Sequence, residues 1–343
     1  MNLPKSNNPI YKEFFSRSNI EANVEKTEWK GEPSNNSFCF INPKVKYRQR
    51  IIEVQNTLRE VFGISSDIFN QKYIMAISGD GQEVKRISTL HSSSLAALLL
   101  LYSISRNKEL ICKLENKDYT FHSSYFEVKT NVKGKHFSNM DVVLIGKNSD
   151  DKDVIFFLES KFSEYLNTGM CNNISLDAYK QKYLDLGLIN NDKAIPGLHF
   201  VIGTGKDKQE CLQIKSDTPQ YCSGIKQMIS HYIGVTNYII EGEKALDPDQ
   251  KRKPYYEILV NLQKSGAEII LGEILFSFDK DVDQINNNGE TKLSSYSCIY
   301  SELAKILNDK SSKLHVLSNV LTYQELLNGF ELDDKVKAFY QLK

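Results

Sequence analysis

Residues 139–166, NMDVVLIGKNSDDKDVIFFLESKFSEYL, constrain this chain more than any other stretch. Residues 142–145 and 154–158 are β-branched, aromatic or leucine, and the polar run 147–153 between them is rich in turn formers, which predicts a β-hairpin. Pairing symmetric about Asp150 sets Asp141 opposite Glu159, Val143 opposite Phe157 and Ile145 opposite Ile155, all on one face. Lys161, two residues beyond Glu159, shares that face. The strands are apolar on both sides, so they belong at the centre of a sheet. Two carboxylates and an ammonium therefore meet at one end of a buried hairpin, where charge is costly unless it is paired or holds a metal. An ion pair needs one acid and one base. Two acids beside one lysine leave a net negative pocket suited to a divalent cation.

Composition bounds the rest. A chain of 343 residues, 41% hydrophobic and 25% charged, can bury one large core or two modest ones. Lys plus Arg and Asp plus Glu are 43 each, so no global basic field points to nucleic acid, and a DNA-binding surface must be a local patch. The six cysteines (Cys39, Cys112, Cys171, Cys211, Cys222, Cys298) form no CxxC pair and the histidines complete no zinc spacing, which predicts reduced thiols. The start lacks an apolar signal region and the longest apolar run, residues 95–102, is too short to span a bilayer. The expectation is a soluble, cytoplasmic protein.

In chain order, residues 1–45 are polar and read as an arm. Residues 47–62 carry apolar positions at helical spacing, with Gly63 as a stop, and Arg48, Arg50 and Arg59 read as a solvated face more readily than a phosphate grip. Residues 73–78 read as a short strand. Residues 92–104 read as a helix apolar nearly all round, hence buried; His91 and Ser92 at its start could hold an anion or simply cap it. Residues 125–130 alternate as a half-buried strand carrying Glu127, followed by a small basic patch, Lys133, Lys135 and His136, just before Asp141. The resulting order is α-β-β-β. Downstream, 176–186 is a helix stopped at Gly187 and 198–202 a strand. Residues 203–206 lack the spacing of a phosphate loop, although Lys206, Lys208 and Lys215 make the region mildly basic. Residues 220–240 form a second strong helix, whose stripe of Gly224, Gln227, His231 and Gly234 permits close approach by a ligand or backbone. Gln227 with Lys226 could reach a phosphate or water near the hairpin, or Gln227 and His231 could satisfy core groups. Residues 255–262 and 269–278 read as strands, 297–307 and 322–327 as helices, and 281–289 as an exposed loop.

Asp141, its spacing to Glu159, and the tripeptide Glu159-Ser160-Lys161 closing an apolar strand resemble the PD-(D/E)XK nuclease superfamily, the restriction-endonuclease-like fold. HSSSLAALLLLYSI, FFLESKFSEYL and YCSGIKQMISHY are similar to a bacterial restriction-endonuclease group within it. The resemblance covers roughly residues 85–265. It implies an α/β fold with an αβββαβ core and a central mixed sheet, and three regions: an N-terminal arm and helix (1–84), a nuclease-like core (85–280) and a C-terminal helical cap (281–343). It further implies that Asp141, Glu159 and the Ser160 backbone carbonyl bind Mg²⁺, for which Mn²⁺ could substitute, and that Lys161 assists the attacking water. The activity implied is phosphodiester hydrolysis of DNA by a restriction-like or defence endonuclease. Alternatives are action on RNA or single-stranded DNA, or a non-catalytic nucleic-acid-binding or scaffold protein. A homodimer would fit an enzyme that cuts both strands. The chain departs from the family at Met140, where the motif has proline, and at residues 92–105, which lack the glutamate many members carry. That vacancy leaves Glu127 or Glu83 as the third acid. Glu164 and Tyr165 lie just past the strand, where they could support the metal site or sit on the surface.

Overall fold

The computed structural model describes residues 25–29, 32–39, 47–78, 87, 92–162, 173–189, 194–204, 210–216, 222–278 and 291–342. In chain order the elements are β1 (Glu25–Trp29), β2 (Glu32–Cys39), α1 (Tyr47–Phe62), α2 (Asp67–Ala76), α3 (Ser93–Leu101), β3 (Leu110–Leu114), β4 (Lys117–Lys133), β5 (His136–Asn148) and β6 (Asp153–Lys161). There follow β7 (Asn173–Ser175), α4 (Leu176–Asp185), β8 (Leu198–Thr204), β9 (Glu210–Ser216), α5 (Cys222–Glu241), α6 (Tyr255–Lys264) and β10 (Glu268–Leu275). The last are α7 (Lys292–Lys310), β11 (His315–Val316), β12 (Leu321–Thr322), α8 (Tyr323–Leu326) and α9 (Asp334–Tyr340).

The result is an α/β protein built on a mixed sheet with strand order β11-β10-β6-β5-β4-β3, in which β12 also pairs with β10. Strands β3 to β6 are antiparallel neighbours, whereas β10 runs parallel to β6. Residues 154–158 of β6 are at 0% exposure, as befits a strand with neighbours on both edges and helices on both faces. Side-chain alternation along β6 separates those faces. Phe157 meets Tyr238 of α5 edge to face, with centroids 5.8 Å apart, whereas the Ser160 hydroxyl donates to the Ser93 carbonyl at the start of α3. The leucines of α3 are buried around its whole circumference, as their unbroken apolar run predicts. A smaller antiparallel sheet, β7-β9-β8, and the pair β1–β2 complete the strands.

Two short runs read as strands are helical. Residues 73–76 are the end of α2 and 77–78 follow its C-terminus; Phe69, Lys72, Tyr73 and Ala76 are buried at three- and four-residue spacing and Ser66 caps the start by accepting from the Ile68 N–H. Residues 255–262 form α6, burying Tyr255, Tyr256, Leu259 and Val260. In both, aromatic and β-branched residues cluster densely enough to imitate a strand, and only burial at helical spacing reveals the period. The strand following α5 is therefore β10. The strand read at 125–130 is part of the 17-residue β4, buried on both sides at Glu127, and β3 adds an edge strand before it. The segment after 281 adds β11 and β12 to the sheet besides its helices. Helix α1 ends at Gly63 and α4 before Gly187, both with left-handed φ, as the sequence predicts. Among the described residues no helix is long and apolar enough to cross a membrane. His91, Glu83, Glu164, Tyr165, Lys206, Lys208, the loop 281–289 and most of the arm lie outside the described residues, as do the side chains of Arg48 and Arg50.

Candidate active site

Strands β5 and β6 pair in the register read from the sequence: Val142 with Leu158, Val143 with Phe157, Leu144 with Phe156 and Ile145 with Ile155. The turn is held by Asn148, whose Oδ1 accepts from the N–H groups of Asp150 and Lys152 at 3.0 and 3.1 Å. The ladder stops at Val142 and Leu158. One residue further, Asp141 Oδ2 accepts the Ser160 N–H at 2.8 Å, so a side chain takes the place of a main-chain carbonyl in the seam between the strands. This is the only hydrogen bond the Asp141 side chain makes among the described residues.

Glu159 is 2% exposed, and both its oxygens are engaged. Lys161 Nζ donates to Oε1, and His231 Nε2 bonds Oε2 at 2.8 Å. Lys161 also donates to Gln227 Oε1 at 2.8 Å, and His231 Nδ1 bonds the Ser138 hydroxyl. Gln227 itself is exposed, so the Lys161 ammonium stands where the buried cluster meets solvent. The small-and-polar stripe of α5 faces the sheet across four strands. A Cβ on Gly224 would lie 1.8 Å from Tyr296 Oη, and one on Gly234 would lie 2.3 Å from Thr130 Oγ1. Only glycine lets the helix backbone settle low enough for Gln227 and His231 to reach β6. On the other side of β6, Glu273 of β10 stands in register with Glu159 and accepts from Tyr296 OH at 2.5 Å.

The two acids are pushed in opposite directions. Burial, then the charges of Glu159 and Glu127, raise the Asp141 carboxyl well above the usual carboxylate range, against the weaker pull of Lys161 and the Ser160 N–H. Burial would raise Glu159 too, but Lys161 and His231 outweigh it and hold this carboxyl down at about 2. Glu127 lies across from Asp141 on β4, between the pairs Phe126–Val142 and Val128–Met140, with φ at 56° and its Oε2 accepting from Asn139 Nδ2. A left-handed, non-glycine residue in a strand costs about 1–3 kcal/mol and persists only where its surroundings enforce it.

The fold thus brings together Asp141, Glu159, Lys161, Gln227 and Glu127. Ser160 lies among them through its backbone. Lys226, half-buried beside Gln227, joins none of these bonds. Ser92 caps α3 by accepting from the Leu95 N–H at 3.2 Å, which is the bland reading of that serine. Arg59 spends its guanidinium on the carbonyls of Ile64 and Ser65, closing a loop. Sequence reasoning missed Ser138, Asn139, Glu273 and Tyr296, and it left His231 open between ligand and core; the one signal was the spacing of His231 on the stripe with Gln227.

Hard oxygen donors suit Mg²⁺, which takes one or two carboxylates and keeps several waters. Asp141 fits, with one oxygen on Ser160 and the other free of hydrogen bonds among the described residues. Glu159 fits by chemistry, though Lys161 now holds the oxygen a cation would need. Among the described residues, no group of three or more His, Cys, Asp or Glu is arranged to hold a metal ion. Compared with known proteins, the chain matches no family model, no curated protein and no solved structure.

Proposed function

We propose that the protein is a divalent-cation-dependent nuclease that hydrolyses phosphodiester bonds in DNA, with Mg²⁺ or Mn²⁺ as cofactor. The observation that carries this reading is the convergence of two acids, Asp141 and Glu159, with Lys161 where β5 and β6 part, the first carboxyl raised by burial and its neighbours' charge and the second lowered by Lys161 and His231. An ion pair that merely stabilised the core would need no second carboxyl beside it. Neighbouring acids whose surroundings push their pKa values apart are candidates for a functional site. The order α3, β4, β5, β6, α5, β10 supports a restriction-endonuclease-like αβββαβ core, to which β3, α6 and the insertion of β7, α4, β8 and β9 between β6 and α5 are additions.

In this reading Asp141 and Glu159 hold the cation. The Ser160 carbonyl would join them, since one strand residue's N–H and C=O face the same edge and its N–H already faces Asp141. The cation would activate a bound water and offset charge developing on the phosphate. Lys161, released from Glu159, orients that water and stabilises the added negative charge. Glu127 supplies the third acid from β4. Lys133, Lys135 and His136, exposed at the tip of the β4–β5 hairpin, meet the phosphate backbone at the rim.

One observation favours a second reading, a non-catalytic binding or scaffold protein: both Glu159 oxygens are already satisfied by Lys161 and His231. Cleavage of supercoiled plasmid in Mg²⁺ or Mn²⁺, with RNA and single-stranded DNA as parallel substrates, decides between them. Activity lost in Glu159→Ala supports the nuclease. Equal activity in both proteins removes this site from the account, and activity in neither supports the scaffold.

A further inference from the structure

Resting on the nuclease reading, we infer that His231 is a positioning residue that ties down one oxygen of Glu159 and leaves only the other for a cation. The assignment follows from hydrogen bookkeeping. An ionised carboxylate has no hydrogen to give, so the 2.8 Å contact to Glu159 Oε2 requires a hydrogen on His231 Nε2. The other ring nitrogen, Nδ1, bonds the Ser138 hydroxyl, which can donate or accept, so both ring nitrogens have a partner. His231 and Ser138 are each 3% exposed, so water does not stand in for either partner. The ring is held in one orientation by both contacts.

The two oxygens of Glu159 therefore differ. Oε2 is held from α5 by a ring that cannot move without losing both partners. Oε1 is held by Lys161, whose ammonium has a second partner in the exposed Gln227 and can swing toward it. Oε1 would be the Glu159 oxygen left to hold a divalent cation once Lys161 turned to Gln227, and a single carboxylate oxygen would suit a cation that keeps several waters. Fixing a ligand through a neighbour that touches no metal is a common way in which sites gain affinity.

Nitrogen-15 NMR of the metal-free full chain reads the tautomer directly. The expected signal shows a hydrogen on Nε2; a ring carrying its hydrogen on Nδ1 alone overturns the inference. Calorimetric titration with Mn²⁺ gives a second readout apart from turnover. His231→Leu should weaken Mn²⁺ binding and lower kcat about 10- to 100-fold while KM for plasmid stays within about twofold, as removal of such neighbours does elsewhere. His231→Gln, whose amide nitrogen can reach the position of Nε2, should recover most of both. A purely structural histidine would lower thermal stability but leave the folded fraction's affinity unchanged, and a folded His231→Leu protein with wild-type Mn²⁺ affinity sinks the proposal. Glu159→Gln separates the two layers. Wild-type cleavage in that variant would remove the nuclease reading, and with it any catalytic use of His231, whatever the tautomer.

Discussion

Replacing Gly224 with alanine tests the seating of α5 on the sheet. The added Cβ would lie 1.8 Å from Tyr296 Oη, whereas ordinary contact begins near 3.4 Å, so the phenol must retreat by about 1.6 Å. Tyr296 is 1% exposed and donates to Glu273, itself at 0%, so retreat breaks a buried hydrogen bond. Losing such a bond costs about 1.5–3 kcal/mol if the acceptor is charged, and overpacking adds about 1–3 kcal/mol. Alanine returns at most about 1 kcal/mol through its helix propensity. The expected net loss is roughly 2–4 kcal/mol, read as a lowered midpoint in guanidinium unfolding followed by circular dichroism. Tyr296→Phe removes the clashing oxygen, so in a double-mutant cycle the two changes should couple by at least about 1 kcal/mol. Wild-type or greater stability of Gly224→Ala would refute the argument that this glycine brings the helix to the sheet.

Three further outcomes follow from buried charge. Asp141→Asn should stabilise the metal-free protein at pH 7 by about 0.5–2 kcal/mol, a common yield when an unfavourable functional group is neutralised, because the amide keeps an acceptor for the Ser160 N–H. Since the folded state raises this carboxyl, wild-type stability falls as pH rises above 3.8, and the advantage of the variant should vanish below that point. Glu159 has the opposite sign: lowered from 4.5 to about 2, it contributes about 3 kcal/mol that is complete above pH 4.5 and lost as pH falls through about 2. An acid titration of Glu159→Gln showing the same slope as wild type would contradict this. Lys72, 8% exposed and lowered by burial to about 8, stabilises the fold more as pH rises from about 8 to 10.5. Lys72→Met should therefore gain up to about 3 kcal/mol at pH 7, with the gap closing by pH 10.5 in parallel chemical denaturation.

Much of the site could be read from local pattern. The β5–β6 register follows from two apolar runs and a turn whose centre is marked by composition, and the α5 stripe from residues three and four apart. What escaped was of two kinds. Short apolar runs such as 73–78 and 255–262 have no visible period until burial selects a face. Contacts such as Glu159 with His231, 72 residues apart, or Glu273 with Tyr296 arise only when α5 and β10 dock, and no spacing rule reaches that far. Glu127 was within reach because its neighbour in the sheet is the next strand. Its left-handed backbone was not, since nothing in YFEVKT announces it.

The tripeptide at the end of β6 has a consequence for how the molecule assembles. Glu159 and Lys161 turn toward α5, while the Ser160 hydroxyl bonds the Ser93 carbonyl and, at 2.7 Å, the Tyr323 hydroxyl of α8. Three consecutive residues thus join segments from positions 93, 231 and 323, the last of them 163 residues downstream. Closing loops of that length comes late, because its entropic cost precedes any reward from contact. During vectorial synthesis the hairpin can form early, but its acids stay hydrated and alike until α5 arrives, and the strand is clamped from behind only once Tyr323 has been made. The chemistry of this site is therefore acquired only after α5 and Tyr323 have joined the sheet.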